Sequence, residues 1–187
     1  NGHGADRFKL LSVWGNKDMV REINLARIGD GDTAVSRLVN NKLVYSVRKV
    51  AKNYANPFGS RFLVDEGDVT FRHSLHRVGN ILWVTWLMGI LGIVGAIKNV
   101  AGRSSLFWLG FLLLSPIPSS LTVDGAYHAS RLFLMVFPLA YFAGLGWRWL
   151  SSFRGTRLIL TAMTVVFVFE VVIYQQYYWQ GYKRDSW

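Results

Sequence analysis

The sequence predicts an all-α polytopic membrane protein, with about four transmembrane helices preceded by a mostly helical, polar, extracytoplasmic segment. Three observations carry this expectation. The 187-residue chain is 51% hydrophobic, yet 21 of its 32 Lys, Arg, Asp and Glu side chains fall within residues 1–77. Beyond residue 77 come uncharged or nearly uncharged runs close to the roughly 20 residues that cross a hydrocarbon core of about 30 Å. Basic side chains then gather at the ends of those runs, where Lys and Arg meet lipid headgroups. The expected division is therefore a polar segment, 1–77, and a transmembrane domain, 78–187.

Within the polar segment, LVNNKLVYSVRKVAKNY places Leu43, Val47, Val50 and Tyr54 on one helical face, with Arg48, Lys49 and Lys52 elsewhere. The turn signal NPFG at 56–59 stops that helix. An earlier helix is expected over about 18–28, ended by Gly29 to Asp32. That Gly-Asp-Gly-Asp stretch lacks the remaining ligands of a calcium loop. The segment DEGDVTFRHSLHRVG, 65–79, is denser in potential chemistry: Asp65, Glu66 and Asp68 precede Arg72, His73, His76 and Arg77. Arg72 and Arg77 are candidates for contact with a phosphate. Two histidines three apart without a third ligand do not make a metal site, and none is expected.

Four spans follow, at about 78–97, 104–118, 130–149 and 157–175. The first carries no charge; the second is closed near residue 115 by Pro116 and Pro118. Arg131 and Arg148 bound the third and lengthen it by snorkelling. Glu170 is the lone charge in the fourth. Lys98 and Arg103 flank the first connection, and Arg148, Arg154 and Arg157 crowd the third, so the positive-inside rule assigns both to the cytoplasm. The connection at 116–131, the polar segment and the C-terminus then face outside, in a multi-pass protein of the plasma (inner) membrane. The small residues Gly89, Gly92 and Gly95, and the pair Ala140 and Gly144, predict ordinary close contact between helices.

Composition narrows the function classes. The net charge of +10 would suit nucleic acid in a soluble protein, but here it belongs to interfacial side chains, and no nucleic-acid partner is expected. Cysteine is absent, so disulfides and thiolate metal sites are excluded. The chain opens on Asn1 without a basic-then-apolar leader and is read as a fragment of a larger protein that has a membrane helix upstream.

The connection PIPSSLTVDGAYHASRLF, 116–133, holds the most chemistry. If residues 124–131 begin the third helix, Asp124 and His128 are i and i+4, His128 and Arg131 are i and i+3, and all three project from one side. Asp124 near a helix N-terminus would cap free N–H groups. Arg131 enters an otherwise apolar helix, where an ionisable group faces protein, water or a ligand. Its guanidinium fork suits a phosphate, and His128 could donate to the same anion or to a sugar hydroxyl.

Two segments carry a family resemblance. The first holds Phe62, Leu63, Glu66, Gly67, Asp68, Arg72, His73 and Gly79. The second holds Pro118, Ser120, Leu121, Thr122, Asp124, His128, Arg131, Pro138 and Gly144. Together, over about residues 58–150, they resemble the C-terminal part of a membrane glycosyltransferase of the GT-C superfamily, near the protein O-mannosyltransferases (family 39) and the lipid A aminoarabinose transferases. The resemblance implies sugar transfer from a polyprenyl-phosphate-linked donor to an acceptor protein or glycolipid on the extracytoplasmic face. It also implies that Arg131, His128, Asp124, Arg72 and His73 line the substrate cavity, with Arg131 at the carrier phosphate.

In this family the catalytic carboxylate lies in the first external loop, which implies a position upstream of Asn1 and leaves the catalytic residue unassigned here. A divalent metal would belong to the full-length enzyme. The competing class is a non-catalytic membrane module, a transporter or assembly subunit, whose outer loops bind lipid phosphate or a partner protein.

Overall fold

The computed structural model describes residues 11–15, 18–70, 78–98, 102–123 and 125–182. These form helices joined by turns, and among them no strand forms beyond an isolated bridge between Ser12 and Thr122. The chain divides into two compact units, Asn1–Asn56 with Ile117–Ala126, and Pro57–Pro116 with Tyr127–Trp187. The hydropathy boundary at 77/78 marks a change of polarity; the packing units are divided elsewhere.

In the first unit, helices α1 (Met19–Gly29), α2 (Ala34–Val39) and α3 (Lys42–Ala55) follow one another through short turns. Thr33 and Asn41 cap α2 and α3 by accepting the N–H groups of Ser36 and Val44, at 3.2 and 3.0 Å. The carboxylates of the Gly29–Asp32 stretch are engaged locally: Asn40 donates to Asp30 at 2.7 Å, and Arg37 forks onto Asp32 at 3.0 and 2.8 Å. That fork, by hydrogen bond first and charge second, holds Asp32 below the usual carboxylate range. Both partners are exposed, so the pair adds little to stability. Buried Asn53 donates to the carbonyls of Ser120 and Thr122, at 3.3 and 2.7 Å, and seats the one-turn helix Ile117–Ser120 against α3.

The second unit is built on α4 (Trp83–Lys98) and α6 (Val136–Ser151), with α5 (Arg103–Leu114) and α7 (Arg157–Gln176) beside them. Gly89, Gly92 and Gly95 form the face of α4 turned to α6. On α6 the matching residues are Phe142, Ala143 and Gly146. A Cβ at Gly92 would strike the Phe142 carbonyl, and one at Gly146 the Met88 carbonyl, so two backbones approach as closely as only glycine permits. The expected pair Ala140 and Gly144 is not the contact: both are exposed, and Gly144 has open space around it. The helical register that buries Pro138, Leu139, Phe142 and Gly146 turns positions 140 and 144 outward. Ser105 and Tyr141 share a hydrogen bond of 3.2 Å between α5 and α6, and Trp108 stacks on Tyr141 at 5.4 Å.

Among the described residues two helices are long and apolar enough to cross a membrane: Ala129–Ser151, 23 residues with mean hydropathy 1.4, and Arg157–Gln180, 24 residues with mean hydropathy 2.1. They coincide with the expected spans at 130–149 and 157–175. The regions expected to span at 78–97 and 104–118 are helical but shorter, 16 and 12 residues. At 1.5 Å per residue these helices are about 24 and 18 Å long. The reasons are local. Gly79 and Ile81 donate backbone hydrogen bonds to Val64 and Leu63, which delays the start of α4 to Trp83. At the other site, Pro116 follows the Ser115 cap of α5 and stops it at Leu114. Arg157–Gln176 buries no residue, so its apolar surface is open along its length.

The α4–α6 contact predicts a sharp positional contrast. Gly92→Ala and Gly146→Ala each push a methyl into a backbone carbonyl and should cost about 1–3 kcal/mol, read as a lower Tm in detergent. Gly144→Ala should be neutral or slightly stabilising, because alanine is the better helix former. Similar behaviour at all three positions would contradict the packing register.

Candidate functional site

The site begins at a tight turn of chain. Residues Arg61–Asp65 form a single π-turn, closed when the N–H groups of Glu66 and Gly67 donate to the Arg61 carbonyl at 2.8 and 3.2 Å. Gly67 then takes φ +77, a conformation that suits glycine, and the chain reverses to drive Asp68 inward. Arg61 donates to Glu66 at 2.7 Å and lies 5.4 Å over the Tyr127 ring. The hydrogen bond to Glu66, followed by its charge, raises the Arg61 guanidinium above its ordinary value.

Asp68 is 2% exposed. A bare buried carboxylate would be strongly disfavoured, so its partners decide its role. Its Oδ1 accepts the Thr70 N–H at 2.7 Å, and its Oδ2 accepts the Ala129 N–H at 2.7 Å. The Nδ1 of His128 lies 3.5 Å from the same Oδ2. Val69 adds a backbone bond to Tyr127 at 3.4 Å. One carboxylate thus stitches the 65–70 turn to the 127–129 corner and caps the helical stretch that starts at Ala129.

This arrangement changes the expected geometry of the 124–131 stretch. His128 is extended, with φ −104 and ψ 97, and stands at the N-cap; the helix begins at Ala129, after a 3₁₀ turn over Gly125–Tyr127. Over the described residues 125–131 the predicted continuous helix therefore does not form. The cause is Gly125, whose missing side chain lets it approach the Ser119 carbonyl, and Asp68, which supplies the cap from a distant part of the chain. Arg131 still follows His128 within one turn, its N–H donating to the His128 carbonyl at 3.1 Å, and its side chain is half-buried.

To His128 the structure adds Asp68, which the sequence shows only as one acid among three. Its partner lies 61 positions away, and no local pattern announces that pairing. The inward position was foreshadowed only by Gly67 before it and by Thr70 after it, the spacing of an Asx-turn. Asp124, Arg72, His73 and Arg77 lie outside the described residues. Glu170, weighed as a distant contributor to the same cavity, accepts the Val84 N–H at 3.2 Å at the start of α4. Among the described residues no three His, Asp or Glu side chains gather to hold a metal.

Beside His128 and Arg131 in sequence, Ala129 and Leu132 line a cleft of about 260 Å³ with Phe62, Leu63, Asn80 and Val136. The Asn80 amide is spent on the Phe62 carbonyl at 2.9 Å, which leaves a mainly apolar lining. Chemically, the cleft is an apolar slot that suits a hydrocarbon chain, and neither His128 nor Arg131 is among its lining residues.

Asp68→Ala should leave the Ala129 and Thr70 N–H groups without their acceptor, at a cost of about 1–3 kcal/mol for each buried donor left unsatisfied. Asp68→Asn keeps one acceptor oxygen and should cost less. Thermal unfolding in detergent gives the order of the two variants, and the ¹⁵N shifts of the His128 ring should move in both. A Tm for Asp68→Ala equal to the parent would remove the carboxylate from this role.

Known protein families, curated proteins and solved structures were compared with the chain, and none matches.

Proposed function

We propose that this chain forms the donor-phosphate side of a GT-C-type integral-membrane glycosyltransferase, which transfers a sugar from a polyprenyl-phosphate-linked donor to a protein or glycolipid. The observation that carries the reading is the closure of Asp68 on His128 and Ala129. The two segments on which the family resemblance rests, 62–79 and 118–144, meet through that carboxylate.

In this reading the apolar cleft takes the first isoprene units of the carrier, and Arg131 holds the phosphate. As the glycosidic bond breaks, negative charge builds on the phosphate oxygens, and a pre-positioned guanidinium fork stabilises it more than it stabilises the bound donor. His128, whose Nδ1 lies 3.5 Å from the Asp68 carboxylate, would direct its other nitrogen to the phosphate or a sugar hydroxyl. The finer topology belongs to the same proposal: four spans, with residues 120–128 on the extracytoplasmic side of the plasma (inner) membrane. The two long apolar helices support a membrane setting, and tilt or bilayer thinning would let the shorter helices α4 and α5 serve as spans.

The test is transfer of sugar from a polyprenyl-phosphate donor by the protein in proteoliposomes. Arg131→Ala should lower kcat by about 10²–10³-fold, the range for removing one donor to a developing oxyanion. Arg131→Lys keeps the charge but loses the fork, and should fall between. Both should retain the parent Tm. Full activity in both variants would remove Arg131 from the site; no transfer from any such donor by folded protein would overturn the function. Because the chain has no cysteine, a single Ala55→Cys variant, at an exposed position of the polar segment, reports topology directly. Its thiol should react with an impermeant reagent added from the extracytoplasmic side.

A further inference from the structure

The first unit carries an apolar surface that its own packing leaves open. Along α3, Leu43 and Val47 are 74% and 60% exposed, and Val50 lies on the same face. Trp14, 56% exposed, and Ile117 and Leu121 extend that face into a groove of about 450 Å³. The helix cannot roll to hide it. Ser46 and Asn53, both buried, fix an adjacent side of α3, and Asn53 is bonded to the Ser120 and Thr122 carbonyls.

The charge around this face is one-sided. Lys42, Arg48, Lys49 and Lys52 lie on α3, which contains no acidic residue. Arg48 and Lys52 are exposed on the polar side of α3, about 130° and 170° around the axis from the centre of the apolar stripe. A helix that lies in a bilayer surface on its apolar face carries such basic side chains on its polar face, at the headgroup level. Trp14 and Tyr54 add amphipathic rings of the kind that settle at the headgroup level. At 14 residues α3 is about 21 Å long, too short to cross a bilayer but suited to lying in its surface.

We infer that the Leu43–Val47–Val50 face of α3, with Trp14 and Leu121, docks on the surface of a bilayer bearing anionic headgroups, with Arg48 and Lys52 at the headgroup phosphates. A protein partner would need its own acidic rim around an apolar ridge. An anionic bilayer supplies both features in one plane. The proposal goes beyond the glycosyltransferase reading, and its readout involves no sugar transfer.

The absence of cysteine allows single nitroxide probes at Val47→Cys and Lys49→Cys in the full chain. The protein is reconstituted in phosphatidylcholine vesicles with and without phosphatidylglycerol, and collisions with oxygen and with a water-soluble nickel chelate are measured. On anionic vesicles the oxygen-to-nickel ratio at 47 should rise severalfold, while the probe at 49 stays open to nickel. Arg48→Gln and Lys52→Gln should each lower the ratio of docked to undocked probe by about fivefold, the equivalent of about 1 kcal/mol per cation near an anionic surface. High salt should do the same.

Three results would overturn the proposal. A probe at 47 open to nickel on both vesicles would mean that no docking occurs. One shielded from both reagents would mean that protein, a second copy or another segment, covers the face. Equal docking on both vesicles would remove the anionic headgroup from the interaction.

Discussion

The buried carboxylate of Asp68 governs much of the second unit. A buried carboxyl group needs hydrogen-bond partners, and here the donors are the N–H groups of Thr70 and Ala129, with the His128 ring nitrogen 3.5 Å away. Satisfying it fixes the 65–70 turn against the 127–129 corner. That in turn sets where the third apolar segment becomes helical. Because the helix begins at Ala129, Leu132, Met135, Leu139 and Phe142 fall on one buried side, and Gly146 comes to face α4. The capping bond and the close backbone contact are thus parts of one register.

The contact between α4 and α6 shows what holds such helices when there is little gain from expelling water. Small residues let carbonyls and Cα atoms approach, and many weak dispersion contacts accumulate across the seam. The polar groups that remain are consumed in pairs: Ser105 with Tyr141, and Glu170 with the first free N–H of α4. Each removes a group that would be costly in an apolar setting. The long helix Arg157–Gln180, by contrast, keeps its apolar surface open, as expected of a helix whose outer neighbour is lipid.

The first unit relies on a different logic. Its helices are short, and its order comes from capping side chains and from polar bonds between turns, such as Arg27 to the Asn40 carbonyl at 2.7 Å. The price is an incompletely buried apolar stripe on α3. Read as a membrane-surface face, that stripe has a use, because the same basic side chains that would weaken a protein core strengthen attachment to anionic lipid.

Several features were legible in the chain before any tertiary information. Periodicity placed α3, and NPFG ended it, because an amphipathic repeat and a proline turn act within a few residues. Apolar length placed the helices at 129–151 and 157–180, since spanning is a property of a single segment. What remained hidden depends on partners far along the chain. Spacing alone put Asp124, His128 and Arg131 on one helix face, but Asp68 and the Gly125 turn moved the helix start to Ala129 and left His128 extended. Spacing likewise offered Ala140 and Gly144 for packing, whereas burial of Phe142 selected Gly146. By itself the sequence determined helical class, polarity and the approximate lengths of the apolar segments, all set by interactions within a few turns. Only the tertiary structure decided which carboxylate is buried, where the helices start and which glycines touch, because those outcomes require a hydrogen bond or a backbone contact across tens of residues.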